Sequence, residues 1–322
     1  MAIDIFQFKY YFIILCLAPL CFFFPYHAAF GSLALFGAGH ILSEVVVWWK
    51  IDLNVEDSGR LLRWVFYSAM GLSILSVFPL ILDAFGQPPL SFYSPMFLTV
   101  FTVWVFVFGT YHLVKAKAKI ALSFLWIWVA VFICLIWMRP SLNYFFLVHV
   151  HNLLPWIVVY QLTRNKLVII PSILVSFLIP FCIFYLIFCF EGSVSNLALS
   201  AELEQEIFRQ VVHSEFPWVS GTTLLGYFAY QQIIHYFLWI YLIPKVAINK
   251  TNSQSFTLNG ITSNLKPYHL ILPVSLIIVF VLFLLYPVSF RRLYFALGFF
   301  HIAIEFPLLI LLSIPNSKKW NV

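Results

Sequence analysis

Apolar runs of about twenty residues recur along this chain of 322 residues, separated by short stretches that hold most of its charge. A helical membrane span needs about 20 consecutive apolar residues, so this alternation constrains the fold more than any motif does. Charged residues make up only 9% of the sequence and the mean hydropathy is +0.97, which leaves no stretch for a soluble domain. The pattern predicts an all-α, polytopic integral membrane protein with about ten transmembrane helices in one bundle. Residues 1–322 then form a single membrane domain.

In chain order the spans are expected at about residues 10–24, 28–49, 64–82, 96–114, 120–138, 144–162, 167–190, 218–243, 269–290 and 293–314. The first resembles a signal peptide, because it follows Lys9 and precedes the small-residue stretch His27-Ala28-Ala29; an uncleaved helix is the expectation. Asp52 to Arg63 reads as a charged loop, Gly86-Gln87-Pro88-Pro89 as a turn, and Arg291-Arg292 as the reversal between the last two spans. The longest non-spanning stretch, residues 191–216, holds an amphipathic pattern at about 200–212. Ser200 can cap a helix there, with Leu203, Ile207 and Val211 on one side and Glu202, Glu204 and Glu206 in its first turns. This helix is expected to lie along the outer surface, over the mouth of the site.

The eighteen Lys and Arg divide between alternate loops. Fourteen fall on the amino-terminal side, and four (Arg139, Arg209, Arg291 and Arg292) on the other. The excess of positive charge on cytoplasmic loops then places both termini in the cytoplasm of a cell-membrane protein. The net charge of +6 is accounted for by this orientation and gives no reason to expect nucleic acid. Cys16, Cys21, Cys134, Cys182 and Cys189 lie inside apolar runs without a C-x-x-C spacing and read as packing residues.

Against this background one pattern is repeated. Gly37-Ala-Gly-His40-Ile-Leu-Ser-Glu44 and Gly298-Phe-Phe-His301-Ile-Ala-Ile-Glu305 both read G-x-x-H-I-x-x-E. Positions i and i+4 of a helix share a face, so each segment offers a nitrogen and an oxygen ligand from one surface. A carboxylate at the bilayer centre costs about 2.5–3.5 kcal/mol even on insertion scales, and such groups are functional by default. Further candidates fall on the even-numbered spans: His112 on the fourth, His149, His151 and Asn152 on the sixth, Gln231 and His235 on the eighth. His149 shares a face with Asn152 and Trp156 and is preferred to His151. Gln231 is one turn before His235 and is expected to fix its tautomer. His112 sits beside the lysine-rich inner end and reads first as an interface histidine.

Imidazoles with two carboxylates suit borderline ions, so the expected cofactor is a metal ion. Iron is favoured, in a mono- or dinuclear site, with zinc or manganese as alternatives and haem ranked below them. The ligands would be His40, Glu44, His149, His235, His301 and Glu305. A buried structural hydrogen bond, or a proton relay, is the other reading of each His-Glu pair. In theme the chain resembles the Brp/Blh family of bacterial and archaeal carotene-cleaving oxygenases, polytopic proteins that bind iron through histidines on several spans. That resemblance rests on the spread of His40, His149, His235 and His301 over different spans. The Pro-His-Gly motif of that family is absent, and no residue role is transferred from it. The expected function is a membrane-embedded, metal-dependent oxidoreductase or oxygenase acting on a lipophilic small molecule, a lipid or isoprenoid, with membrane lipid as its other contact. A haem-binding electron-transfer protein and a proton-coupled transporter using Glu44 and Glu305 are the alternatives.

Overall fold

The computed structural model describes residues 8–50, 58–85, 93–115, 117–138, 151–163, 178, 182, 202–205, 207, 221–244 and 271–312, and these are helical almost throughout, with no strand among them. The elements are α1 (Phe8–Phe23), α2 (Pro25–Lys50), α3 (Ser58–Ala84), α4 (Tyr93–Lys115), α5 (Lys119–Met138), α6 (Leu154–Thr163), α7 (Gly221–Phe237), α8 (Ile271–Leu285) and α9 (Pro287–Leu312). A π-helical turn, Leu238–Leu242, continues α7. Five stretches are long and apolar enough to cross a bilayer: Pro25–Val45, Trp64–Leu82, Met96–Lys115, Lys119–Met138 and Pro287–Ile310. At about 1.5 Å per residue each covers the roughly 30 Å hydrocarbon core. This is a helical, multi-pass membrane protein.

The second to fifth expected spans coincide closely with α2 to α5, but the ends of the chain differ from expectation. Proline sets both differences. α1 meets α2 through the single residue Phe24, and α8 meets α9 through the single residue Tyr286. Pro25 and Pro287 have no N–H to give the carbonyls of Cys21 and Phe283, so each helix bends there and a new one starts on the proline. Arg291 and Arg292 consequently lie inside α9 rather than in a reversing loop, and Arg291 is fully buried. The stretch Asp52 to Arg63 is likewise not all loop, since α3 begins at Ser58. The expected sixth span is interrupted at Asn152 and Leu153, where the ring of Pro155 is incompatible with a helical carbonyl at His151. The amide of Trp156 bonds the Leu153 carbonyl at 3.1 Å as α6 starts. The expected seventh span lies almost wholly outside the described residues.

The chain divides into two compact units. One consists of Met1–Ser43 and Leu147–Val288, the other of Glu44–Phe146 and Ser289–Val322. In the first, α1 packs along α7, and α6 packs on the π-turn. α2 meets α8 through Phe30 and Phe283, whose ring centroids are 6.0 Å apart. It meets the π-turn where the Ser43 hydroxyl donates to the Trp239 carbonyl at 2.5 Å. Residues 202–205 and 207 are helical, with Leu203 and Ile207 buried and Glu202 and Gln205 exposed, as an amphipathic segment requires. Val211 and the rest of the expected 200–212 helix lie outside the described residues.

In the second unit α9 is held by three neighbours. The Ser76 hydroxyl of α3 donates to the Ala296 carbonyl. Phe101 of α4 sits 5.0 Å from Phe299 and 5.6 Å from Phe306, centroid to centroid, and Trp128 of α5 is 5.5 Å from Phe306. Gly109 allows the approach: a Cβ there would lie 2.5 Å from Leu125 Cδ2 and 3.0 Å from Ile310 Cδ1. α4 turns into α5 by paired bonds, Ala118 N–H to Leu113 carbonyl and Lys117 N–H to Val114 carbonyl, with Lys117 in the left-handed region at φ 55°. This is the helix-ending motif in which glycine normally takes the left-handed position. α5 buries Leu125, Val129, Phe132 and Ile136 on one stripe and exposes Ile120, Phe124, Ile127 and Val131, so apolar side chains cover both its faces.

Candidate metal centre

α2 brings its glycine-rich turn against the π-turn, with a Cβ on Gly39 placed 3.7 Å from Ile240 Cδ1. This close approach puts His40 beside α7. His40, His235 and His151 are buried, at 1%, 0% and 8% relative exposure. His235 is the central ring of the three: its centroid is 5.2 Å from that of His40 and 4.5 Å from that of His151. In both pairs a ligand nitrogen of one ring is within 4.8 Å of a ligand nitrogen of the other. Since His40 pairs with His235 and Ser43 with Trp239, α2 and α7 run in the same sense along this contact.

The His40 ring lies near the Phe36 and Gly37 carbonyls one turn back. Its face lies 4.4 Å from the ring of Tyr236, whose hydroxyl accepts from Gln232 Nε2 at 2.8 Å. His151 takes its place from the interruption that Pro155 imposes ahead of α6, and Asn152 beside it is buried. Gln231, expected to orient His235, hydrogen-bonds Tyr227. The structure therefore gives the neighbouring Gln232, which the sequence reading passed over, a part in supporting the site.

The second unit holds the other repeat. Glu44 and Glu305 are fully buried and His301 is 7% exposed. The carboxyl groups of Glu44 and Glu305 lie within hydrogen-bonding reach of each other, and a Glu44 carboxylate oxygen is within 4.8 Å of a His301 ring nitrogen. Within α2 itself, His40 and Glu44 are one turn apart on one face, as the spacing predicts.

His149 lies outside the described residues. His112 is buried on α4 against Phe108 and Tyr111, centroids 4.6 and 4.9 Å away, and belongs to neither ligand group. Arg291 is the intramembrane charge that the sequence reading assigned to a loop. Its guanidinium sits 4.7 Å over the Phe295 ring, where cation–π attraction supports a buried arginine. Ten residues, or about 15 Å of helix, separate it from His301.

The buried groups can hold a cation through borderline nitrogen ligands and hard oxygen ligands, a donor set that suits iron, manganese or zinc. Compared with known protein families, curated proteins and solved structures, the chain matches none.

Proposed function

We propose that this protein is a membrane-embedded metalloenzyme that oxidises a lipophilic substrate, with iron as the favoured ion. The observation that carries the reading is the buried His235, which has a ligand atom of the buried His40 and a ligand atom of the buried His151 each within 4.8 Å of one of its own. A buried histidine cluster without a cation is an inefficient way to fill a core, whereas metal ligation uses every ring. Glu44, Glu305 and His301 supply oxygen and nitrogen donors on the repeated motif. When bound, the ion would supply Lewis acidity or electron transfer to a substrate that reaches the site from lipid. The chain's own part is to orient the imidazoles, exclude water and provide carboxyl groups that accept a proton. Ring contacts of 4.5 and 5.2 Å among the three imidazoles leave no gap for a porphyrin between them, which argues against haem.

Metal analysis and a visible spectrum of the detergent-purified protein test the reading. Stoichiometric metal without a haem spectrum is expected. Metal-free protein from metal-replete cells that also fails to take up added Fe²⁺, Mn²⁺ or Zn²⁺ would refute it. The hydrogen-bonding Glu44–Glu305 pair favours a proton-coupled carrier as the second reading, which predicts that metal-free result.

The topology proposed with this function has ten spans and both termini in the cytoplasm. With Arg291 and Arg292 both inside α9, the basic residues of the loops divide fourteen to two, so the asymmetry that supports this orientation persists. Ordinary antiparallel helix connections use two to five residues, so the single-residue junctions at Phe24 and Tyr286 are the most demanding points of a ten-span path. Reporter fusions after Phe85 and near Gly192 should report the outer side, and a fusion at Val322 the cytoplasm.

A further inference from the structure

Two membrane-spanning helices meet at a turn that carries three lysines. α4 crosses as Met96–Lys115 and α5 as Lys119–Met138, so residues 115–119 stay at the depth of the lipid headgroups. The sequence there is Lys115-Ala-Lys117-Ala-Lys119, and all three lysines are exposed. Lys117 holds the left-handed position that glycine normally takes, so the turn carries a cation where its backbone gains nothing from one. From Ala84 to Phe190 the sequence contains no Asp or Glu. Neither α4 nor α5 therefore offers these lysines an anion of its own, and among the described residues none of the three forms an ion pair.

An exposed apolar stripe runs up to the turn on each helix. On α4 it is Val107, Tyr111 and Val114, and on α5 it is Ile120, Phe124 and Ile127, both at helical spacing. The geometry points to the α4–α5 turn as a binding surface for an anionic phospholipid, whose headgroup meets the lysines while its acyl chains lie along these stripes. The inference stands apart from the metal reading, since it uses none of the same residues. Charge decides the class of lipid. A phosphatidylglycerol headgroup brings a phosphodiester charge that nothing in the lipid offsets, whereas phosphatidylcholine carries its own cation and gains little from three more. In the topology proposed above, the turn faces the cytoplasmic leaflet, where anionic lipids attract basic segments next to a span.

The test uses the full-length chain in detergent and a fluorescent phosphatidylglycerol, with equally labelled phosphatidylcholine as the reference. Each lysine near anionic lipid is worth about fivefold in binding, so wild type should prefer the phosphatidylglycerol on the order of 100-fold, and the preference should fall as salt is raised. The Lys115→Gln/Lys117→Gln/Lys119→Gln variant should lose that preference, and Lys115→Arg/Lys117→Arg/Lys119→Arg should keep it. As a control, Lys245→Gln/Lys250→Gln/Lys266→Gln removes the same charge elsewhere in the chain and should bind as wild type does. A wild type without the preference, a turn variant that retains it, or a control that loses it equally would overturn the inference. Inorganic phosphate that displaces the lipid at equal concentration would overturn it too, because an ion has no acyl chains for the stripes to hold. Should the triple turn variant fail to insert, Lys117→Gln alone decides: binding about fivefold weaker is expected, and unchanged binding would refute the role of the turn.

Discussion

Replacing His235 with Ala removes the ring that touches both His40 and His151, and its effect separates ligation from packing. Four-ligand structural sites bind zinc with an apparent 10–16 kcal/mol, so one ligand of four accounts for about 3–4 kcal/mol, a factor on the order of 10²–10³ in affinity. His235 is fully buried, so truncation leaves a cavity lined by Tyr236 and the other two imidazoles. Such a site does not recruit a replacement ligand as an exposed one would. The control is His112→Ala. That histidine is also buried, packs on Phe108 and Tyr111 and, among the described residues, belongs to neither ligand group, so it loses packing without losing a ligand. The assay is chelator competition for bound iron or zinc in detergent, normalised to monodisperse protein. His235→Ala should release metal at chelator concentrations two to three orders of magnitude lower than wild type, and His112→Ala should match wild type. Equal retention by both variants, or equal loss, would refute the assignment.

Glu44→Gln and Glu305→Gln keep shape while removing charge, so both variants should insert normally but bind metal more weakly, measured by elemental analysis; unchanged content would leave the carboxyl pair with a structural role only. Gly109→Ala forces a methyl group against Leu125 and Ile310. Overpacking of about 1–3 kcal/mol opposes a helix-propensity gain of about 1 kcal/mol, so thermal unfolding in detergent should show a loss of up to about 2 kcal/mol. Gly71→Ala, whose Cβ meets open space, should show none. Lys117→Gly relieves a left-handed residue at the end of α4 and should stabilise the turn by about 1 kcal/mol, seen as a higher unfolding midpoint.

The helices from α2 to α5 were legible because length and apolarity decide them: lipid leaves a backbone no alternative to satisfying its own hydrogen bonds. The buried Glu44 and Glu305 were legible for the same reason, since the cost of a carboxylate in that medium makes it conspicuous. Arg291 escaped because charge next to charge reads as a loop, whereas a guanidinium stacked on Phe295 can stay in a helix. His149, preferred on spacing, lies outside the described residues; His151 stands just before the interruption at Asn152 and Leu153 that Pro155 imposes, and its ring lies against His235. Gln231 and Gln232 are adjacent and chemically identical, so only side-chain direction could tell which one backs the tyrosine over His40.

The boundary between the two units falls within helices, between Ser43 and Glu44 in α2 and between Val288 and Ser289 in α9. Multidomain proteins usually divide at flexible connections, where insertions and deletions are absorbed cheaply. Here a one-residue insertion between His40 and Glu44 would turn the second group by about 100° and move it about 1.5 Å relative to the first. The four-residue interval in α2 therefore cannot drift by single steps. Its length is inherited whole, and splitting the protein for co-expression of fragments would have to spare both helices.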